Sequence, residues 1–307
     1  MFSNIFVGKM IKRKNERCRQ TMGQIKQIGV IGSGTMGAGI AQLMIQNGYR
    51  TIIYDIHHDL LKKAKVTIEA KLNRLVEKKK ITNEEKTSAI DLLDITTDLQ
   101  DFKNCQLVIE AAPEKIEIKR SLFKELEEIC SQDAILATNT SSLSITEISG
   151  HLSHPERVVG FHFFNPAPLM PLVEVIQGLK TEPETVETLV DFAKGMNKTP
   201  VTCKDTPGFI VNRVARPFYN EAIRIMNDQV ADVEQIDRIM KRAGKFKMGP
   251  FELQDLIGID VNLATTKSVH ASFYGETRFR PHFYQERMVQ AGTLGRKSNG
   301  GYFHYDE

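Results

Sequence analysis

A β-branched run, Ile25 to Ile31, stops at Gly32-Ser33-Gly34-Thr35-Met36-Gly37, and from Thr35 the pattern turns helical as far as Asn47. Gly48 supplies a helix stop, Thr51 to Tyr54 reads as a second strand, and Asp55 stands at its end. A lone G-x-G-x-x-G says little, but here it lies in strand–turn–helix–strand–acid order. Gly32 permits a tight turn, Gly34 lets backbone approach a pyrophosphate, and Gly37 lets helix and strand pack closely. The helix N-terminus at Thr35 and Met36 would face the phosphates with unpaired N–H groups. Asp55, about 20 residues on, would bond the ribose hydroxyls. It would also repel a 2′-phosphate, and no arginine follows in Ile56-His57-His58-Asp59, so the expected cofactor is NAD rather than NADP.

The pattern continues as an α/β alternation. Leu60 to about Lys80 reads as a helix with an apolar face through Leu61, Ala64, Ile68, Leu72, Leu75 and Val76. Its other face carries Lys71, Arg74 and Lys78, which is either a grip for an anionic substrate or an ordinary solvated face. Leu107 to Ala112 is a continuous apolar strand containing Glu110, as expected of a parallel sheet covered on both sides. Pro113-Glu114 opens the next helix, in which Lys119, Leu122, Phe123 and Leu126 mark the period. Ala134 to Ala137 is another strand, ending in Thr138-Asn139-Thr140-Ser141-Ser142. Such a polar cluster lies where open α/β sheets bind ligands. Ser144 and Glu147 fit a capping box, leaving Ser141 for a ligand.

Val158 to Ile176 (VVGFHFFNPAPLMPLVEVI) holds one histidine and one glutamate in a largely apolar run. VVGFHFF alternates like a half-buried strand with His162 and Phe164 on one face. Pro166, Pro168 and Pro171 force a turn, and LVEVI reads as a second strand bearing Glu174. A carboxylate among Leu, Val and Ile is costly to bury unless paired, and His162 is the nearest candidate. The alternative is a core histidine and a strand-end glutamate that never meet. Thr181-Glu182-Pro183-Glu184 suggests another capping box for a helix to about Met196, and Thr199 to Cys203 a last strand. Beyond Asp205-Thr206-Pro207-Gly208 the sequence is helical, with Asn212 on the first helix and Pro217 expected to kink it. Three regions are expected: a basic extension 1–23, a dinucleotide-binding α/β domain 24–206, and an all-helical domain 207–307.

The 307 residues carry a formal charge of +3, but six Lys and Arg against Glu16 put +5 within residues 1–24 and leave −2 for the rest. The near-neutral body carries no nucleic-acid signature, and no nucleic-acid partner is expected. No run approaches the ~18 apolar residues of a membrane span. Cysteines 18, 105, 130 and 203 show neither a metal-like spacing nor a disulfide framework, so a reducing compartment, the cytoplasm, is expected. The basic tail reads as a disordered extension, as sequence ahead of a true start at Met22, or as a mitochondrial presequence that would place the protein in the matrix.

GVIGSGTMGAGIAQ, ATNTSSLSI, GFHFFNPAPLMPLVEVI, DTPGFIVNR, GPFELQDLIGID and LGRKSNGGYF together resemble the L-3-hydroxyacyl-CoA dehydrogenase family, nearest its short bacterial 3-hydroxybutyryl-CoA members. The resemblance runs from about Gln24 to the C-terminus. It implies a Rossmann-like domain binding NAD, a helical domain that dimerises, and an acyl-CoA substrate. By motif position it implies catalytic roles for Ser141, His162, Glu174 and Asn212. Cofactor contacts would come from Asp55, Glu114, Lys119, Asn139 and Lys297, and substrate contacts from Ser141, Asn165, Lys78 and Lys71. Gly300-Gly301-Tyr302-Phe303 departs slightly from the family's closing block, and Lys71 stands where some relatives carry serine.

That chemistry agrees with the residues themselves. Oxidising a secondary alcohol removes a hydroxyl proton as hydride leaves carbon, and a histidine backed by a carboxylate suits the task. Ser141 would bond the 3-oxygen; Asn212 would donate to the same oxygen or to the thioester carbonyl. No metal is required. Two other readings remain: a crystallin-like structural member without activity, and a phosphogluconate-type β-hydroxyacid dehydrogenase. The latter uses a lysine where the Asp205–Arg213 region offers asparagine.

Overall fold

The computed structural model describes residues 25–305; the expectations for residues 1–23, Cys18 among them, lie outside the described residues. The chain divides between Asp205 and Thr206 into two compact units.

The first unit is built on β1 (Gln27–Ile31), β2 (Arg50–Tyr54), β3 (Leu93–Thr96), β4 (Leu107–Glu110), β5 (Ile135–Thr138), β6 (Val158–Phe163), β7 (Leu172–Gln177) and β8 (Thr199–Lys204). Among the described residues they form one sheet in the order β3-β2-β1-β4-β5-β6-β7-β8. The first six are parallel, β7 runs antiparallel to β6, and β8 is parallel to β7. Chain order reverses between β1 and β4, the switch point at which doubly wound Rossmann-like sheets bind ligands. The connections are α1 (Thr35–Gln46), α2 (His58–Glu77), α3 (Asn83–Ile90), α4 (Ile116–Ile129), α5 (Ile145–Ser149) and α6 (Pro183–Gly195). The expected apolar face of α2 is buried at Leu61, Ala64, Ile68 and Leu72.

Several local expectations need correction. α3 and β3 were not legible. α3 is mostly polar and starts at a reciprocal Thr82–Glu85 cap, and β3 is a short edge strand. The helix expected to open at Pro113-Glu114 starts instead at Ile116. β6 is buried along its whole length rather than on one face. Its even face packs on α5, where a Cβ at Gly160 would approach Ile145, and its odd face on α6, where Phe161 meets Phe192. Thr181 caps no helix: its hydroxyl donates to the Val158 carbonyl (2.5 Å) and accepts from the Gly178 amide (3.0 Å), closing the turn after β7. Ser144 does accept from the Glu147 amide (3.2 Å), but its own hydroxyl donates to Asp205 (2.7 Å).

The second unit comprises α7 (Val211–Asn227), α8 (Val233–Arg242), α9 (Pro250–Ile257), α10 (Ile259–Ser272) and α11 (Phe283–Gln290). Ala222, Ile223, Ile236 and Phe251 form a core in it. The buried Asp237 carboxylate accepts from the Phe251 (3.0 Å) and Glu252 (2.8 Å) amides, supplying the cap that Gly249 lacks a side chain to give α9. Pro217 lies inside α7.

Candidate active site

The switch point is shaped by backbone. Gly32 has φ +92°, and a Cβ there would lie 2.5 Å from the Ala111 carbonyl oxygen; one at Gly37 would lie 1.8 Å from the Gly32 oxygen. The chain therefore turns tightly and α1 presses onto β1. Gly34 is exposed, with nothing within 4 Å of where its Cβ would be. It also begins α1 without a side-chain cap, leaving the first-turn amides of Thr35 and Met36 to other acceptors. At the end of β2, Asp55 Oδ2 accepts from the Ser33 amide (3.0 Å) and hydroxyl (2.7 Å), and Oδ1 from the His57 amide (3.1 Å). Burial would raise this carboxyl, but those bonds outweigh it and hold its pKa below the ordinary value. An open glycine, an uncapped helix start and an ionised acid fit a dinucleotide. Ser33 gave no sequence signal, because the middle of G-x-G admits many residue types.

The next loops over are organised by a buried ion network. Glu110, 0% exposed, accepts from Lys119 Nζ (2.6 Å), the Ala112 amide (2.7 Å) and the Thr138 hydroxyl (2.6 Å). Lys119, 1% exposed, also meets Glu114 Oε2 at 3.3 Å. Glu114 Oε1 gathers the turn after β5, accepting from the Thr140 hydroxyl (2.7 Å), the Ser141 amide (2.8 Å) and the Ser141 hydroxyl (3.2 Å). The Ser141 hydroxyl, expected to meet a ligand, also donates to Glu114. Burial pushes Glu114 upward, yet the Lys119 charge and the Thr140 and Ser141 bonds carry its pKa below the ordinary value. Lys119, expected at the cofactor, is enclosed as the counterion of two glutamates. Asn139 Oδ1 accepts from the Phe163 amide (2.8 Å), tying the end of β5 to β6. The one sequence sign of this network was a carboxylate inside the apolar strand LVIE.

His162 and Glu174 are register partners across β6 and β7. His162 is 6% exposed, Glu174 is 0% exposed, and Nδ1 lies 2.8 Å from Glu174 Oε2. With the carboxylate as acceptor, Nδ1 is the donor of this bond and Nε2 is the ring's other nitrogen. The proline-rich turn between them is held by Lys198, whose ammonium donates to the carbonyls of Ala167 (2.7 Å), Met170 (2.9 Å) and Pro168 (3.2 Å). Burial lowers the Lys198 pKa. Asn165 is exposed on that turn. Lys198 went unread because its acceptors are backbone carbonyls distant in sequence.

On α2, Lys71 is half-buried and Lys78 is exposed at the helix end. Among the described residues neither forms an ion pair with a carboxylate. In the helical unit, Asn212 Oδ1 accepts from Arg216 Nη2 (3.3 Å), and Lys297 pairs with Asp260 at 2.5 Å. Among the described residues no group of three or more His, Cys, Asp or Glu is placed to hold a metal.

Family models described as 3-hydroxyacyl-CoA dehydrogenase, NAD binding domain, and 3-hydroxyacyl-CoA dehydrogenase, C-terminal domain, match residues 27–206 and 208–305. A 3-hydroxyadipyl-CoA dehydrogenase of Escherichia coli K12 is 48% identical over 91% of this chain, which spans 59% of that protein's length. A probable 3-hydroxybutyryl-CoA dehydrogenase of Deinococcus radiodurans is 44% identical over 91% of this chain and the whole of its own. The crystal structure of an (S)-3-hydroxybutyryl-CoA dehydrogenase from Ralstonia eutropha superposes with a TM-score of 0.88 at 38% identity, over 92% of this chain and all of that one. With both halves matched and these motifs in place, the chain belongs to the 3-hydroxyacyl-CoA dehydrogenase family.

Proposed function

We propose that this protein interconverts (S)-3-hydroxyacyl-CoA and 3-oxoacyl-CoA with NAD(H). The observation that carries the reading is the buried His162–Glu174 pair, 2.8 Å apart on neighbouring strands. In the oxidative direction His162 Nε2 takes the hydroxyl proton as the C3 hydride departs. Glu174 fixes the tautomer and stabilises the imidazolium. NAD, when bound, supplies the hydride acceptor. Ser141, held through Glu114, bonds the 3-oxygen as it becomes a carbonyl, and Asn212 donates to the same oxygen or to the thioester carbonyl. Gly32, Gly34, Gly37, Thr35 and Met36 would cradle the pyrophosphate, with Asp55 on the ribose and Glu114, Asn139 and Lys297 as further cofactor contacts. Lys119 acts behind Glu114. Asn165 borders the acyl-CoA.

The test is NADH absorbance on mixing purified protein with acetoacetyl-CoA. Oxidation of NADH that disappears in His162→Gln supports the reading. No turnover with any 3-oxoacyl-CoA would return the chain to the crystallin-like alternative. Among the relatives, the Deinococcus and Ralstonia proteins are named for a four-carbon acyl chain and the Escherichia coli protein for a chain ending in a carboxylate. Both chain types belong in the substrate series.

Three further assignments follow. The unpaired stripe at Lys71 and Lys78 would meet CoA phosphates, so Lys78→Ala should raise KM for acyl-CoA but not for acyl-pantetheine. Two chains would pair through the helical unit, whose Ile239, Phe246, Leu256 and Val261 are about half exposed; sedimentation reads the mass. The reaction belongs in a reducing compartment, the cytoplasm, in keeping with the unbridged Cys105, Cys130 and Cys203; cell fractionation reads the location.

A further inference from the structure

Arg216 lies one turn beyond Asn212 on α7 and is 3% exposed. Its Nη1 donates to the Asn262 carbonyl (3.0 Å), Asn262 Oδ1 (3.2 Å) and Thr266 Oγ1 (3.2 Å) on α10. Its Nη2 donates to Asn212 Oδ1 at 3.3 Å, and its guanidinium lies 4.9 Å from the Tyr219 ring centre. Every one of these acceptors is neutral. Among the described residues no carboxylate forms an ion pair with Arg216, and its buried Nε has no hydrogen-bond partner. Burial brings its pKa down to about 10. A buried cation lacking a counter-anion is costly, and native interiors seldom keep one without a reason.

The shortfall has a direction. Nη1 is filled by α10. The Nε/Nη2 side, the side-on edge with which arginine grips a carboxylate through two parallel N–H bonds, has only the long contact to Asn212. The neighbouring polar interior is short of partners too: Asn220 Oδ1, Gln254 Nε2 and Gln285 Oε1 are buried and unmatched.

We infer that the Nε/Nη2 edge of Arg216 is a subsite for a carboxylate at the far end of the acyl chain, so that ω-carboxylated 3-hydroxyacyl-CoA thioesters are the preferred substrates. The inference rests on the dehydrogenase reading and on Asn212 as a substrate contact. A CoA phosphate is the other anion in such a substrate, but it lies at the opposite end of the pantetheine arm from the reacting carbons that Asn212 would meet. A chain of a few carbons beyond C3 covers one helical turn. Its carboxylate would replace the neutral Asn212 oxygen on the guanidinium and give the charge its missing partner.

The experiment compares kcat/KM for 3-oxoadipyl-CoA and acetoacetyl-CoA, using the full chain and NADH. The unmutated protein should favour 3-oxoadipyl-CoA at least about tenfold. In Arg216→Met the ratio of the two kcat/KM values should fall about 10–100-fold, mainly through KM, as expected for loss of a charge-assisted pair. Arg216→Lys, which keeps the charge without the fork, should retain part of the preference. Acetoacetyl-CoA turned over as well as 3-oxoadipyl-CoA by the unmutated protein would overturn the subsite and leave the dehydrogenase reading standing. So would equal losses on both substrates in Arg216→Met, which would make Arg216 a tie between α7 and α10. Turnover of neither substrate would defeat the dehydrogenase reading, and the subsite with it.

Discussion

His162 and Glu174 stand opposite each other across the antiparallel β6–β7 pair, with Nδ1 2.8 Å from Oε2 and both side chains removed from solvent. Residues directly opposed on antiparallel strands share one face, so backbone register alone delivers the carboxylate to the ring. Lys198 holds the intervening turn by three carbonyls, and the pair is therefore set by sheet and turn together.

Glu174→Gln keeps the shape of the side chain but removes the charge that stabilises imidazolium. Its effect should fall on kcat, with substrate and cofactor binding little altered. His162→Gln should cost at least as much, about 10²–10⁴-fold. The double variant should be scarcely worse than His162→Gln, because the carboxylate then has no imidazolium to act on. Steady-state kinetics on the four proteins decides; effects that multiply would show the pair does not work as a unit.

Asp55 accepts bonds from Ser33 and His57 that favour its ionised form, the form proposed to meet the ribose. Asp55→Ala should weaken NADH binding and narrow the gap between NADH and NADPH. Fluorescence titration with both nucleotides reads the outcome, and an unmutated protein that used NADPH as well as NADH would contradict it.

The Glu114 pKa is lowered in the folded protein, so the unfolded chain takes up its proton at higher pH. The stability it contributes is present above the ordinary glutamate pKa of about 4.3 and is lost as pH falls through the folded value. The melting temperature should therefore decline below about pH 4.5. Glu114→Gln should flatten that decline. Thermal unfolding of both proteins from neutral to acid pH provides the check.

Lys119→Met would leave Glu110 buried without its counterion. Removing one partner of a buried pair costs about 3–5 kcal/mol, and urea unfolding should show a loss of that order. Lys119→Met with Glu110→Gln should recover part of it, because the orphaned charge is gone. A double variant no more stable than Lys119→Met would mean that Lys119 matters mainly through Glu114.

Much of this protein is written locally in its sequence. The run into Gly32-Ser33-Gly34-Thr35-Met36-Gly37, the strand ending at Asp55, and the alternation placing His162 and Glu174 on strands are legible because side-chain periods of two and 3.6 residues need only near neighbours. The proline turn made the His162–Glu174 meeting conceivable; the β6–β7 register brought it about. What stayed hidden has a common cause. The Ser33 clamp on Asp55, the Glu110–Lys119–Glu114 network that claims Ser141, the Lys198 staple and the buried Arg216 are all polar groups seeking partners after burial. Sequence marks such a residue as costly to bury, as it did Glu174, but strand order, loop geometry and helix packing decide which partner it finds. The sequence by itself determined the elements and the residue types at the site, and only the tertiary structure decided which charges those residues answer to.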